Sequence, residues 1–361
     1  MGLSLIQLMP SLQPHENRRL VRQIQAYLRV TRHCLCERSL AAFLVLAALT
    51  IMSPSSAFAA DTIRLAIQKT GTFAWELAII KEHGLDVREN LDLQITELAS
   101  TEAEKIAIRG GSADLILSDW LWVSRERSLG SKLTFYPYST ALGAVMVPAA
   151  SPVKDLAGLK GKKVAVAGGS LDKSWLLLQA LAKKNDVDLK SQSEILYGAP
   201  SLLAVKLSQG EIDANLNFWN FCVDLEAHGF RRLTGMDEVE KALGAKAPVA
   251  MVGYVFDETF AEKHPGVIER FLKIAREAKT LLAQSDEDWK KLGPQIGMKS
   301  EADIGLYRQR YLDGIPNRPI AEDVADAKLL YTILADVGGT ELVGRARELD
   351  PGTFFKPHMD H

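Results

Sequence analysis

Two stretches of this chain alternate strand, helix, strand, helix, strand, and that repetition constrains the fold more than any single motif. In the first, Ile63 to Gln68 reads as a strand and Phe73 to His83 as a helix ended by Gly84. Leu91 to Leu98 alternates as a strand, Glu102 to Arg109 is a helix closed by Gly110-Gly111, and Ala113 to Leu117 is a buried strand. In the second, Lys162 to Ala167, Glu194 to Tyr197 and Ile212 to Leu216 are strands separated by helices over Asp172 to Lys183 and Leu202 to Leu207. Right-handed crossovers make each stretch a mostly parallel sheet flanked by helices. Long strands at Tyr138 to Pro148 and Val249 to Phe256 carry the chain out of the first unit and back. Ala261 to Ala283, Asp286 to Leu292, Glu301 to Leu312 and Ala321 to Val337 follow as helices. The expected fold is α/β with two lobes, residues 60–145 and 255–361 forming the first and 146–254 the second, and with a helical C-terminal part. Such a hinged clamshell, a Venus flytrap, binds its ligand between the lobes.

The segment before the first strand has a different origin. Leu40 to Met52 is an apolar run too short to span a bilayer comfortably, preceded by Arg32 and Arg38 and followed by Ser55-Ser56-Ala57-Phe58-Ala59. This is the pattern of a signal peptide, with cleavage expected after Ala59. Residues 1–59 are assigned to it, and the unusually long stretch before Val30 reads as an upstream extension. Cys34 and Cys36 leave with the signal, so Cys222 alone remains and no internal disulfide forms. With no cysteine at the cleavage site, a lipid anchor is disfavoured. Removing residues 1 to 60, with their six Arg and two Glu, from 43 basic and 45 acidic side chains leaves a net charge of −6. An acidic exported chain of this kind is a poor partner for nucleic acid.

Five of the six tryptophans, Trp75, Trp120, Trp122, Trp175 and Trp219, fall where a strand hands over to a helix. Ligands of open α/β sheets bind at the carboxyl ends of strands. The clustering therefore predicts an aromatic-lined pocket, although any single tryptophan is an ordinary core residue.

The segment Ser151-Pro152-Val153-Lys154-Asp155-Leu156-Ala157-Gly158-Leu159-Lys160-Gly161-Lys162-Lys163-Val164-Ala165-Val166, with Ala113 to Ser118 before it and Gly210 to Ala214 after it, resembles periplasmic substrate-binding proteins of nitrate, sulfonate and taurine ABC importers. The resemblance covers essentially the whole mature chain. It implies a periplasmic binding protein that works with a permease and an ATPase of the inner membrane, as a monomer. It also implies a ligand held by Gln68 to Phe73, by Ser118 to Trp120 and by Gly168 to Lys173. Within these turns and beside them the candidate ligand-binding residues are Gln68, Thr70, Gly71, Thr72, Phe73, Trp75, Ser118, Asp119, Trp120, Thr140, Gly169, Ser170, Asp172, Lys173, Trp175, Asn217 and Trp219. Small-anion binders place small polar residues here, and this chain departs from them in its tryptophans. The stretch Ser118 to Arg125 further resembles a subgroup associated with quinoprotein alcohol oxidation, which implies pyrroloquinoline quinone as ligand.

The residues themselves support an anion. Gly168-Gly169-Ser170 before a helix start, and Thr70-Gly71-Thr72 in the other lobe, offer main-chain N–H groups to a carboxylate, sulfonate or phosphate. Lys173 and Lys69 are the cations nearest these turns. Asp119 reads as a helix cap, and Arg125 and Arg127 are expected in solvent. Asn217 and Asn220 offer amides beside the indole of Trp219. Cys222 reads as a packed apolar residue. An enzymatic relative of this fold family carries a cysteine cluster that this chain lacks, and no metal quartet or catalytic cofactor is called for. A sulfonate-binding protein, or a binding module for a sensor or a periplasmic enzyme, stays open as an alternative.

Overall fold

The computed structural model describes residues 59–357 apart from Thr70 and Lys299, together with Arg22 and Ala26. The signal segment, Arg22, Ala26 and Ala59 excepted, and the Thr70 assignment therefore lie outside the described residues. From Ala60 onward the chain forms one compact unit. Its first half runs β1 (Asp61–Gln68), α1 (Thr72–Glu82), α2 (Leu85–Arg88), β2 (Leu91–Leu98), α3 (Thr101–Arg109), β3 (Leu115–Asp119), α4 (Trp120–Ser128), β4 (Leu133–Ser139) and β5 (Gly143–Pro148). Next come β6 (Lys163–Ala167), α5 (Lys173–Lys184), α6 (Leu189–Gln192), β7 (Glu194–Gly198), α7 (Pro200–Ser208), β8 (Ala214–Phe218), α8 (Trp219–Ala227), β9 (Phe230–Gly235) and α9 (Met236–Leu243). The chain closes with β10 (Val252–Asp257), α10 (Glu258–Lys263), α11 (Val267–Gln284), α12 (Asp286–Ile296), α13 (Glu301–Asp313) and α14 (Ile320–Val343).

Two five-stranded sheets result, ordered β2-β1-β3-β10-β4 and β7-β6-β8-β5-β9. In each, three strands are parallel, as the βαβαβ pattern requires. Both sheets are nevertheless mixed, because a strand arriving from the other sheet enters in the opposite direction. β10 runs antiparallel to β3, and β5 antiparallel to β8. The fold is thus α/β with two helix-flanked mixed sheets.

The single long strand expected over Tyr138 to Pro148 is two strands. β4 stays in the first sheet, β5 belongs to the second, and residues 140–142 link them. Gly143 marks the break: at φ +143° it lies so close to β8 that a Cβ would sit 1.9 Å from the Asn217 carbonyl oxygen. The expected lobe boundaries at 145/146 and 254/255 consequently fall inside β5 and β10. The helix expected over Ala261 to Ala283 is also two, broken at Pro265-Gly266, where proline lacks an amide donor and Gly266 takes φ +78°.

The C-terminal part ties the sheets together. α14 packs against α4, which follows β3 of the first sheet, and against α5, which follows β6 of the second. One buried apolar cluster accordingly includes Trp120, Val145, Val166, Trp175 and Tyr331. Arg127, expected in solvent, is instead largely buried: it donates to Asp350 at 2.8 Å, the Leu133 carbonyl at 2.9 Å and Glu258 at 3.0 Å. It thereby pins the turn at Asp350 against β4, where Phe135 and Phe354 form an isolated bridge. Its two-turn spacing from the start of α4 gave no hint of partners more than a hundred residues away. Arg125 is also half-buried, with its Nε enclosed and without a hydrogen-bond partner.

Candidate functional site

The parallel strands of both sheets end at helix N-termini, and these differ in one chemical respect. Asp119 caps α4 by accepting from the Trp122 N–H at 2.8 Å. Asp172 caps α5, accepting from Ser174 N–H at 2.9 Å and Trp175 N–H at 3.2 Å. Ser100 does the same for α3. By contrast α1, α7 and α8 have no side-chain cap, and Pro200 removes one donor from α7.

The Asp172 cap depends on a glycine. Gly168 sits at φ +91°, and a Cβ there would lie 3.3 Å from the Asp172 side chain. The Gly168-Gly169-Ser170 turn therefore serves to seat a carboxylate from its own chain on the first turn of α5. Burial raises the Asp172 carboxyl, the Lys173 charge and the two capping bonds oppose this, and the charge of Asp119 adds to it. The two capping carboxylates, one from each sheet, thus sense each other. Lys173 is half-buried beside them, whereas Lys69 is exposed and pairs loosely with Glu97 at 3.8 Å.

The uncapped helices α1 and α8 meet through their first turns. Trp75 and Trp219 contact edge to face with centroids 5.7 Å apart. Trp75 also meets Trp289 and Tyr307, and Trp219 meets Tyr307 and Tyr311 of α13. An ion pair between Arg310 of α13 and Glu226 of α8, at 3.2 Å, holds the same seam from outside.

Behind the start of α1 lies a buried polar network. Thr72 Oγ1 and Tyr138 OH are 3.0 Å apart. Glu76, wholly buried, accepts from both Lys279 and Tyr254, and Lys279 donates to the Tyr254 hydroxyl at 2.8 Å. The Lys279 ammonium also lies 4.2 Å from the centre of the Tyr138 ring. Burial pushes Glu76 up and Lys279 down, each opposed by the other's charge. Beside it, Gln68 donates to Glu104 at 3.4 Å, and burial pushes the Glu104 carboxyl up to about 8.

The expected tryptophans are all at the strand ends, but none is open to solvent: Trp75, Trp120, Trp122, Trp175 and Trp219 are each at most 7% exposed. Trp120 packs on Tyr331 and Phe354 in the core, and Phe73 on Tyr138, Tyr254 and Phe271. Asn217 is buried, with its amide engaged by Pro200, Asn215 and its own following N–H. Thr140 lies in the first crossing, its N–H bonded to the Gly314 carbonyl at 2.8 Å. Gly169 and Ser170 are at the surface of their turn. Ser118 Oγ and Trp120 Nε1, at the end of β3, are buried without a hydrogen-bond partner, as is Tyr311 OH. Cys222 is packed: its thiol donates to the Asn217 carbonyl at 3.2 Å, and burial pushes it up to about 12.

Glu76, Lys279, Tyr138 and Tyr311 were not singled out from the sequence. A glutamate between Trp75 and Leu77 on an apolar helix was the available signal for the first, since a charge there needs a buried partner. Tyr307 and Tyr311, one helical turn apart, face the same way.

The family described as NMT1/THI5 like matches residues 78–287, more than half of the chain. Among curated proteins no significant match is found. The fold is similar to that of the periplasmic aliphatic sulphonate-binding protein SsuA from Escherichia coli, at 22% identity over 79% of this chain and 94% of that one, TM-score 0.62. It is likewise similar to the alkanesulfonate-binding protein SsuA from Xanthomonas axonopodis pv. citri bound to MOPS, at 19% identity, 81% and 98% coverage and TM-score 0.62. The desulfurization enzyme DSZB shares the fold as well, at 15% identity, 81% and 96% coverage and TM-score 0.56. Among the described residues no helix is long and apolar enough to cross a membrane.

Proposed function

The chain belongs to the NMT1/THI5-like family, and on that footing we propose that it is a periplasmic solute-binding protein of an ABC importer whose lobes close on an organic anion. The observation that carries this reading is the meeting of α1 and α8, the uncapped helix starts joined by Trp75 and Trp219. Free main-chain N–H groups at a helix N-terminus favour a negative head group, and the indoles beside them favour an apolar or flat body. Transport with a permease and an ATPase, in the periplasm and as a monomer, is part of the same proposal.

Pyrroloquinoline quinone is the first candidate, with carboxylates for the helix starts and a planar ring system for the indoles. A sulfonate is the second reading, favoured by the solved relatives of the same fold that bind aliphatic sulphonates. Catalysis is the weaker alternative even though an enzyme shares the fold, because Cys222, the one thiol among the described residues, is buried and held protonated.

Calorimetry on the chain beginning at Ala60 tests the reading, with the quinone, aryl and alkyl sulfonates, taurine and nitrate in the panel. Tight binding of the quinone, with quenching of tryptophan fluorescence, supports the first candidate. Tight binding of a sulfonate alone selects the second. Binding to none of the organic anions overturns the proposal.

A further inference from the structure

We propose that the hydroxyl of Tyr311 is a ligand-binding group, donating a hydrogen bond to the anionic head of the solute held between α1 and α8. The helical C-terminal part then reads the ligand together with the two sheets. This rests on the solute-binding reading and adds to it a contact from an element that the strand-end logic does not include.

Tyr311 is 5% exposed, and its hydroxyl is enclosed without a hydrogen-bond partner. Three other buried tyrosines have one: Tyr138 with Thr72, Tyr254 with Glu76 and Lys279, Tyr331 with the Ala346 carbonyl. A buried hydroxyl left unpaired is unfavourable, so native structures rarely keep one without a use.

Its location supplies that use. The Tyr311 ring touches Trp219, the first residue of uncapped α8, at 6.4 Å between centroids, and Trp289 at 5.5 Å. Trp289 in turn meets Trp75 of α1, the other uncapped helix, at 6.3 Å between centroids, so the Tyr311 ring belongs to the aromatic cluster that joins both helices. Burial holds the phenol protonated, so it is available as a donor. The ring that carries the orphan hydroxyl thus packs into the aromatic seam where the two uncapped helices meet.

The test is Tyr311→Phe, which removes the oxygen and keeps the ring. With wild type binding a member of the anion panel, the variant is expected to bind that anion about tenfold to a hundredfold more weakly, the worth of a hydrogen bond to a charged group. Its melting temperature without ligand should be unchanged or higher, because an unpaired buried polar atom has been removed. Equal affinity in the two proteins overturns this inference and leaves the solute-binding reading intact. A clearly lower melting temperature of the ligand-free variant also overturns it, by revealing a structural partner for the hydroxyl. Wild type that binds none of the panel sinks the solute-binding reading first and this inference with it.

Discussion

Helices α4 and α5 begin on aspartates of their own chain, whereas α1 and α8 begin on Gly71 and Phe218 with no side-chain acceptor. All four follow parallel strands, and a capping aspartate is worth about 1 kcal/mol to a helix. Where the chain supplies its own carboxylate, the first-turn donors are engaged and the helix start is structural. Where it does not, some donors are taken by the main chain, Trp219 N–H by the Leu142 carbonyl and Ala74 N–H by the Gly71 carbonyl, each at 3.1 Å, and no side chain covers the rest. The difference separates two kinds of strand end that share the same topology: the glycine-rich turn at Gly168 to Ser170 reads from sequence as an anion cradle, and its cap is Asp172.

The largest effect is expected where uncapped α1 is anchored from behind. Lys279→Met leaves the Glu76 carboxylate buried without its ammonium partner and should destabilise by about 3–5 kcal/mol, measured by chemical denaturation. Adding Glu76→Gln should recover most of that loss, since the penalty lies in the unpaired charge. If the single variant is as stable as wild type, α1 is held by packing alone, and the contrast with the capped helices loses its physical basis.

A carboxylate that is only half engaged should behave differently from Asp172. Glu240 of α9 accepts from the Val249 N–H at 2.9 Å in the second crossing, while its other oxygen is buried and unpaired. Burial pushes this carboxyl up to about 8. Since the folded value lies above the unfolded one of about 4.3, the carboxyl favours the folded state fully below about 4.3. That contribution falls as pH rises and is gone once pH passes about 8. The expected result is a native state that loses on the order of a few kcal/mol across this window, and Glu240→Gln should reduce the slope, leaving the share of Glu104, which burial raises to about the same value. Asp326 and Asp323 face the same crossing, both bonded to Arg318 at 2.7 Å. Burial raises Asp323, whereas at Asp326 burial is outweighed by Arg318 and main-chain bonds, which lower it, so the acid limb kept by the variant profile is that of Asp326.

A smaller effect is expected from Asp172→Ala, about 0.5–2 kcal/mol by loss of the cap, measured as the change in denaturation midpoint. A neutral result would show that the Asp172 carboxylate does little for α5.

Much of the architecture was legible because it is written locally. Alternation and helical period gave the βαβαβ units, and Asp119 at the start of an apolar run announced its own cap. The tryptophans were located correctly along the chain, but whether an indole lines a cleft or fills a core depends on Tyr331, Phe354 and Trp289, far along the sequence. Likewise the pairing of Glu76 with Lys279, 203 residues apart, and the isolation of the Tyr311 hydroxyl are tertiary facts with no periodic signature. The break between β4 and β5 was missed because an extended segment reads the same whichever sheet it joins.

The direct test of the account is a calorimetric comparison of Gly71→Asp, Gly71→Ala and Asp172→Ala, using whichever anion the wild-type chain binds. Gly71→Asp gives α1 the cap that α4 and α5 already have, and Gly71→Ala controls for the added Cβ, which meets Gln68 at 3.2–3.3 Å. The account predicts that Gly71→Asp weakens binding at least about tenfold beyond Gly71→Ala, the worth of about 1.4 kcal/mol, while Asp172→Ala stays within about threefold of wild type. Unchanged affinity in Gly71→Asp together with a tenfold loss in Asp172→Ala would place the anion at the capped helix of the second sheet and contradict it.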